Sequence, residues 1–267
     1  MRSFQNNFLD RRSKVATDNV DVLKVLVAQS CRVLGKENMT REPAGHVSAR
    51  IPGTDRFVIK GRGPGETALR YTHPEDLMVL DFEGKKVEGR SDLNAPNETS
   101  IHAEVFKARP DVNCVIHVHP TNIVLFTITD IELMPLIGAY DPQALAMVLA
   151  GIPRYPRSIL INSPKLGQDL AKALGDKSVV MMQGHGITAC GPSVQEATIT
   201  AWRLNDLAEL NYRARLLGTP HPISDEDIAV FSGRGGGGGR PPREGMAPPT
   251  GVPGGSTWTY LEKWIEE

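Results

Sequence analysis

An α/β domain is the architecture this sequence predicts, and three patterns carry the prediction. Apolar runs of strand length recur at 46–60, 77–82, 113–119 and 178–190. Between the later ones lie stretches with helical stripes, two of them opened by a capping residue followed by proline. The composition changes only at its end, from residue 233, where Gly, Pro and Arg take over. The expected division is therefore one large domain over residues 1–232 and a Gly/Pro-rich tail over 233–267 that ends in a short amphipathic helix.

Residues 1–16 are polar and mixed in charge, with Phe4, Phe8 and Leu9 as anchors of an arm that must pack on something. Thr17 is placed to cap a first helix whose stripe is Val20, Leu23, Val27, Cys31 and Leu34, with Gly35 as its stop. Gly45 to Lys60 reads as two short strands around a Pro-Gly turn. The loop Gly61-Arg-Gly-Pro-Gly65 follows, and its backbone N–H groups with Lys60 and Arg62 form a possible anion cradle, though no P-loop or complete dinucleotide fingerprint is present. Residues 77–82 and 86–89 continue the strands as an edge or meander.

Asn97 is the expected N-cap of a helix from Glu98 to about Arg109, which Pro110 ends. Glu98 and His102, four apart, share a face of it. The strand 113–119 then carries His117 and His119 one residue apart. Successive strand side chains point to opposite faces, so both imidazoles point the same way. After a helix over 121–127, Asp141-Pro142 opens a helix ending at Gly151, Ser158–Asn162 reads as a strand, and Ser163-Pro164 opens a helix ending at Gly175. The strand 178–183 runs into Gly184-His185-Gly186, where flanking glycines allow a sharp turn that presents the imidazole. Ile187 to Cys190 is a further strand. A long helix from Ser193 to Leu217 buries Val194, Ala197, Ala201, Leu204, Ala208 and Leu216. Trp258, Leu261, Trp264 and Ile265 repeat at helical spacing, and the helix they form is expected to dock on a surface, that of a neighbouring subunit included.

Charge excludes several partners. Thirty Lys and Arg against 31 Asp and Glu give a net charge of −1, which offers no footprint for nucleic acid or an anionic membrane. No window approaches the roughly 20 apolar residues of a spanning helix, and the opening residues lack a signal peptide's apolar run, so a cytoplasmic protein is expected. Cys31, Cys114 and Cys190, widely spaced in apolar segments, read as reduced core thiols.

The chemistry concentrates in the histidines. Each of the seven alone reads as a hydrogen-bonded structural residue. A His-x-His at one strand end, a Gly-His-Gly at another and a helix-starting Glu just upstream together make three nitrogens and one carboxylate, a common ligand count for a catalytic metal. Three imidazoles suit Zn2+, while added carboxylate and water oxygens suit Mn2+.

The stretch from Asn97-Glu-Thr-Ser-Ile-His to Cys114-Val-Ile-His-Val-His-Pro, with Gly184-His-Gly, resembles the signature of the class II aldolase/adducin-like family over about residues 20–217. The resemblance implies a three-layer α/β/α fold around a mixed, largely antiparallel sheet, a divalent metal held by His117, His119 and His185, and Glu98 as catalytic carboxylate or further ligand. It implies substrate contacts from the segments of His46, Ser48, Lys60 and Gly61, to which the neighbouring Arg62 adds a charge. Homotetramers with sites near subunit interfaces are expected on the same ground. Sugar-phosphate aldolases of the family carry Gly-Asn-x-Ser and a serine pair about the phosphate, whereas here His46 stands for Asn and Pro96-Asn97 for the serines.

Gly45-His-Val-Ser-Ala-Arg resembles instead the branch that decarboxylates hydroxylated aromatic acids, and on this resemblance Mn2+ is the favoured metal, with Zn2+ as the alternative. The expected activity is a metal-dependent carbon–carbon lyase (carboxy-lyase) acting on a hydroxylated aromatic (di)carboxylate, with 3-hydroxy-2-methylpyridine-4,5-dicarboxylate of vitamin B6 degradation as the specific expectation. Retro-aldol cleavage and decarboxylation both leave an electron pair that must be delocalised onto an oxygen, which a Lewis acid favours. Glu98 or His46 is the expected proton donor, and Lys60 or Arg62 the expected partner of a second carboxylate. The alternatives are an aldolase or epimerase of a small sugar phosphate and a non-catalytic adducin-like scaffold, whose members dispense with the metal histidines.

Overall fold

The computed structural model describes residues 19–233 and 253–267. The expected arm over 1–16, the Thr17 cap and most of the Gly/Pro-rich linker lie outside the described residues. The elements in order are α1 (Val20–Lys36), β1 (His46–Arg50), β2 (Arg56–Lys60), β3 (Leu77–Asp81), β4 (Lys86–Glu88), α2 (Thr99–Ala108), β5 (Cys114–Val118) and α3 (Thr121–Thr127). They continue with α4 (Pro142–Leu149), β6 (Arg154–Tyr155), α5 (Pro164–Leu174), β7 (Val179–Met182), β8 (Gly186–Gly191), α6 (Val194–Leu217), α7 (Asp225–Gly233) and α8 (Gly255–Trp264).

The eight strands form one sheet in the order β4-β3-β2-β1-β5-β8-β7-β6. Every pairing is antiparallel except β6 with β7, so the sheet is mixed and largely antiparallel. Alternation along the strands builds two cores. Val47, Val58, Cys114, Ile116 and Val118 face α1, α3 and α6, while Phe57, Ile59, Val115 and Val180 face α2 and α5. The three-layer α/β/α expectation is met.

Several local expectations change. Asn19 caps α1, its side chain accepting from the Asp21 N–H. Gly35 lies inside that helix and does not stop it. A Cβ there would sit 2.2 Å from the Arg70 backbone nitrogen, so the glycine serves a close approach of the 3-10 turn Leu69–Tyr71. Residues 158–162 form no strand; the two-residue β6 just before them takes the edge position beside β7. Leu216 is 69% exposed, because the last turns of α6 run past the sheet. Helix α7 was not foreseen, its sequence offering only a short stripe after Ser224.

The C-terminal helix docks on its own chain. Trp258 and Leu261 pack with Val33 of α1 and Ile199 of α6, and Lys36 donates to the Trp264 carbonyl while lying over its ring. Cys31, Cys114 and Cys190 are buried and free. Among the described residues no helix is long and apolar enough to cross a membrane.

Candidate functional site

His117 is fully buried at the end of β5, the central strand of the sheet. Its Nδ1–H donates to the Ile187 carbonyl at 2.9 Å, which fixes the tautomer and leaves a lone pair on Nε2. His119 lies just past the strand, anchored by its N–H on the Met39 carbonyl, and its Nε2 comes 2.9 Å from that of His117. Pro120 follows as the N-cap of α3, so the chain turns away directly after the pair.

His185 enters from the β7–β8 turn. Gly184 has φ +58°, and a Cβ on Gly186 would stand 2.2 Å from the Val118 carbonyl oxygen, so the two glycines serve different needs, one a left-handed turn and the other a close strand approach. Glu98, rather than Asn97, occupies the N-cap of α2, yet its side chain caps nothing. It reaches away from its helix. One carboxylate oxygen accepts the Ile161 N–H at 2.8 Å, and the other lies 3.4 Å from His117 Nε2 and 3.6 Å from His185 Nε2.

One ligand atom from each of Glu98, His117, His119 and His185 lies within 4.8 Å of all the others. The donor set fits a divalent cation on its own chemistry. His117 Nε2 carries no hydrogen, Glu98 is acceptor-only when ionised, and both face a small space shared with two more imidazoles. His185 Nδ1, by contrast, is buried and has no hydrogen-bond partner among the described residues.

The electrostatics favour deprotonated groups. Burial first, then His117 and His185, pushes His119 down to about 3. Burial would raise the Glu98 pKa, but the adjoining His117 and His185 and the hydrogen bond from the Ile161 N–H outweigh it and hold the carboxyl below its ordinary range. His46 is pushed well below the ordinary imidazole range by burial, then by His102 and His117.

A second histidine pair adjoins the first. His46 stands opposite His117 across β1 and β5, with ring centroids 5.3 Å apart. Its Nδ1 lies 2.8 Å from His102 Nε2, and His102 Nδ1 lies 2.6 Å from Ser48 Oγ. All three residues are buried. Sequence reasoning placed His102 only on the Glu98 face of its helix; that i, i+4 spacing was the signal of a role beside His46. The Ile161 N–H carries no sequence signal.

The predicted cationic segment stands elsewhere. Alternation along β2 puts Lys60 with Val58 on the α1 face, opposite to the face that carries His117 with Val115. Its pKa is lowered by burial, which Cys31 and Glu66 partly offset. The Gly61–Gly65 loop holds an internal carboxylate: Glu66 accepts from Arg62 Nε at 2.7 Å and Gly63 N–H at 2.9 Å, with Lys60 Nζ 3.8 Å away. Gly61 donates its N–H to the Asp76 carbonyl. His46, Ser48, Glu98, His117, His119 and His185 are brought together; Lys60, Gly61 and Arg62 have no hydrogen bond or ion pair with them among the described residues. The loop is joined to the site's approach through its backbone, Arg62 pairing with Asn94 four residues before Glu98.

Residues 25–212 match the family described as Class II Aldolase and Adducin N-terminal domain. The chain belongs to this family. The chain is 33% identical over 214 residues to 3,4-dihydroxyphthalate decarboxylase of Arthrobacter keyseri, covering 79% of this chain and 86% of that protein. It is 35% identical over 209 residues to the protein of that name from Terrabacter sp. (strain DBF63), covering 77% and 87%. L-fuculose phosphate aldolase of Escherichia coli (strain K12) is 26% identical over 220 residues, covering 82% and 93%. The fold matches that of an aldolase II superfamily protein from Pseudomonas syringae with a TM-score of 0.76 at 21% identity, over 96% of each chain.

Proposed function

We propose that this chain is a metal-dependent decarboxylase of a hydroxylated aromatic dicarboxylate. The observation that carries the reading is the likeness, at 33% and 35% identity over most of the chain, to 3,4-dihydroxyphthalate decarboxylases, against 26% to a sugar-phosphate aldolase. The buried His46 beside the ligand group supports it, since a ring acid needs an acid/base group there.

Glu98, His117, His119 and His185 would hold the ion, Mn2+ by preference and Zn2+ as the alternative. Bound there, it would supply the Lewis acidity that favours an electron pair on oxygen when a carbon–carbon bond breaks. Glu98, kept ionised, serves as ligand and not as proton donor. His46 is left as the acid/base. The substrate's ring hydroxyl gives its proton to His46 Nε2, its O–H electron pair staying on oxygen. His46 passes that proton to the ring carbon bearing the carboxylate, and the dearomatised acid loses CO2, the C–C pair restoring the aromatic ring. Solvent reprotonates the product oxygen. Arg62 would reach the second carboxylate only once Glu66 gives up its place in the loop; Lys60, on the opposite face of the sheet, is left out of this reading.

A homotetramer with sites near its interfaces belongs to the same reading. Exposed Ile128 and Leu160 support it: Ile128 lies beside Gly184, next to His185, and both leave apolar surface uncovered.

The specific substrate is 3,4-dihydroxyphthalate or a pyridine counterpart, 3-hydroxy-2-methylpyridine-4,5-dicarboxylate, each with a hydroxyl beside a carboxylate. Incubating the purified chain with Mn2+ or Zn2+ and each acid, with L-fuculose 1-phosphate as a third arm, tests this. CO2 release from one of the acids is expected; cleavage of the sugar phosphate alone would overturn it.

A further inference from the structure

Ser48, His102 and His46 form one hydrogen-bonded chain whose polarity is readable from its fixed end. The Val115 carbonyl, which can only accept, lies 3.3 Å from Ser48 Oγ. A hydroxyl has a single hydrogen to give. With it directed to Val115, Ser48 Oγ accepts from His102 Nδ1–H across 2.6 Å. Among the described residues no carboxylate hydrogen-bonds His102, so the buried ring is neutral and its Nε2 carries only a lone pair. That lone pair accepts from His46 Nδ1–H across 2.8 Å. The remaining nitrogen of His46, Nε2, takes no hydrogen bond among the described residues.

We propose that His102, held by Ser48, is a positioning residue that fixes His46 as the Nδ1–H tautomer, so that His46 Nε2 presents a lone pair to the substrate's ring hydroxyl. The role in turnover rests on the decarboxylase reading; the tautomer does not. Reversing the chain, with Ser48 donating to His102 and His102 to His46, would put a hydrogen on His46 Nε2 and leave that nitrogen unable to accept the hydroxyl proton. The direction of one serine hydrogen therefore decides whether His46 begins as base or as donor. The Phe57 ring lies nearly parallel to that of His102, with centroids 6.4 Å apart.

The test is long-range 1H–15N spectroscopy of the full chain loaded with diamagnetic Zn2+ and labelled in its imidazoles, with His46→Gln used for assignment. A bare Nε2 and a protonated Nδ1 at His46 are expected, and a protonated Nε2 would overturn the proposal. His102→Phe should keep the zinc content but mix the His46 tautomers and lower kcat roughly 10- to 100-fold, with KM little changed. His102→Gln, whose amide oxygen can accept from His46 Nδ1–H, should recover part of that loss. Equal kcat in His102→Phe and the unsubstituted chain would sink the positioning role. If His102→Phe does not fold, Ser48→Ala read by the same spectra takes its place. An unsubstituted chain with the expected tautomer that releases no CO2 from either acid would overturn the reaction and the turnover role together, leaving the tautomer standing.

Discussion

Glu98 and Ile161 are joined by a 2.8 Å hydrogen bond from the Ile161 N–H to the Glu98 carboxylate, across 63 positions of sequence. The bond explains two departures at once. It draws the Glu98 side chain off the end of its own helix, and it engages a backbone N–H in a segment whose apolar run reads as a strand. It also leaves the second carboxylate oxygen aimed at His117 and His185. Glu98→Gln keeps an oxygen for Ile161 but removes the charge and places an amide hydrogen near the imidazoles. The expected outcome is a folded protein, seen by circular dichroism, with weaker metal binding and kcat lower by about 100-fold or more. Undiminished turnover would take Glu98 out of the chemistry.

His117→Ala and His185→Ala should each lose metal and activity together. A three-imidazole group that loses one member no longer encloses an ion. His117→Ala also leaves the Ile187 carbonyl without its Nδ1–H partner. Elemental analysis beside CO2 release checks the pair, and a metal-free variant with full activity would refute the metal reading.

These ligands were legible in the sequence because period-two alternation and glycine turns are local. His117, His119 and the Gly184-His185-Gly186 turn need no tertiary information to be singled out. The hairpin at 46–60 and the cap-plus-proline helices were legible for the same reason. The Lys60 loop was not. Its charges and glycines match an anion cradle, but which face of the sheet Lys60 takes depends on the β1–β2 register, and the cradle's occupant, Glu66, is set by the loop's fold. The His46–His102 contact likewise joins residues 56 apart in the chain.

Acid should destabilise the metal-free protein well before its carboxylates titrate. Burial, then His117, depresses His102 to about 3 from the ordinary 6.5, and His46 is depressed too. The unfolded chain therefore binds more protons than the folded one between these values. Stability is full above about pH 6.5, falls as pH drops below it, and stops falling from this source once the folded-state value near 3 is passed. Thermal melts from pH 8 to 4 should show a plateau and then a decline beginning near 6.5; a flat Tm down to pH 5 would show that these imidazoles are not buried and neutral.

Gly186→Ala tests whether strand packing sets the ligand group. The added methyl would meet the Val118 carbonyl oxygen at 2.2 Å and the His119 ring at 2.9 Å. Neither can yield without opening β8 from β5. The variant should bind metal more weakly and melt earlier, and unchanged metal affinity would mean that β8 has slack.

The C-terminal helix gives the last prediction. Trp258 is 1% exposed and packs with Val33, Ile199 and Leu261, a small core separate from the two on the sheet. Trp258→Ala should cost roughly 3–5 kcal/mol, the usual range for emptying a buried aromatic site. Ending the chain after Phe231 goes further, because it removes the helix and uncovers Val33 and Ile199 together. That apolar surface sits on α1 and α6, helices that pack on the sheet face opposite Glu98 and His117. A loss of packing there reaches the ligand group only through the sheet. The truncated chain should therefore have a lower urea midpoint and a changed solution mass, and a KM nearer the full chain's than its stability would suggest. Unchanged midpoint and mass would show that the helix is not held as the Trp258 contacts require.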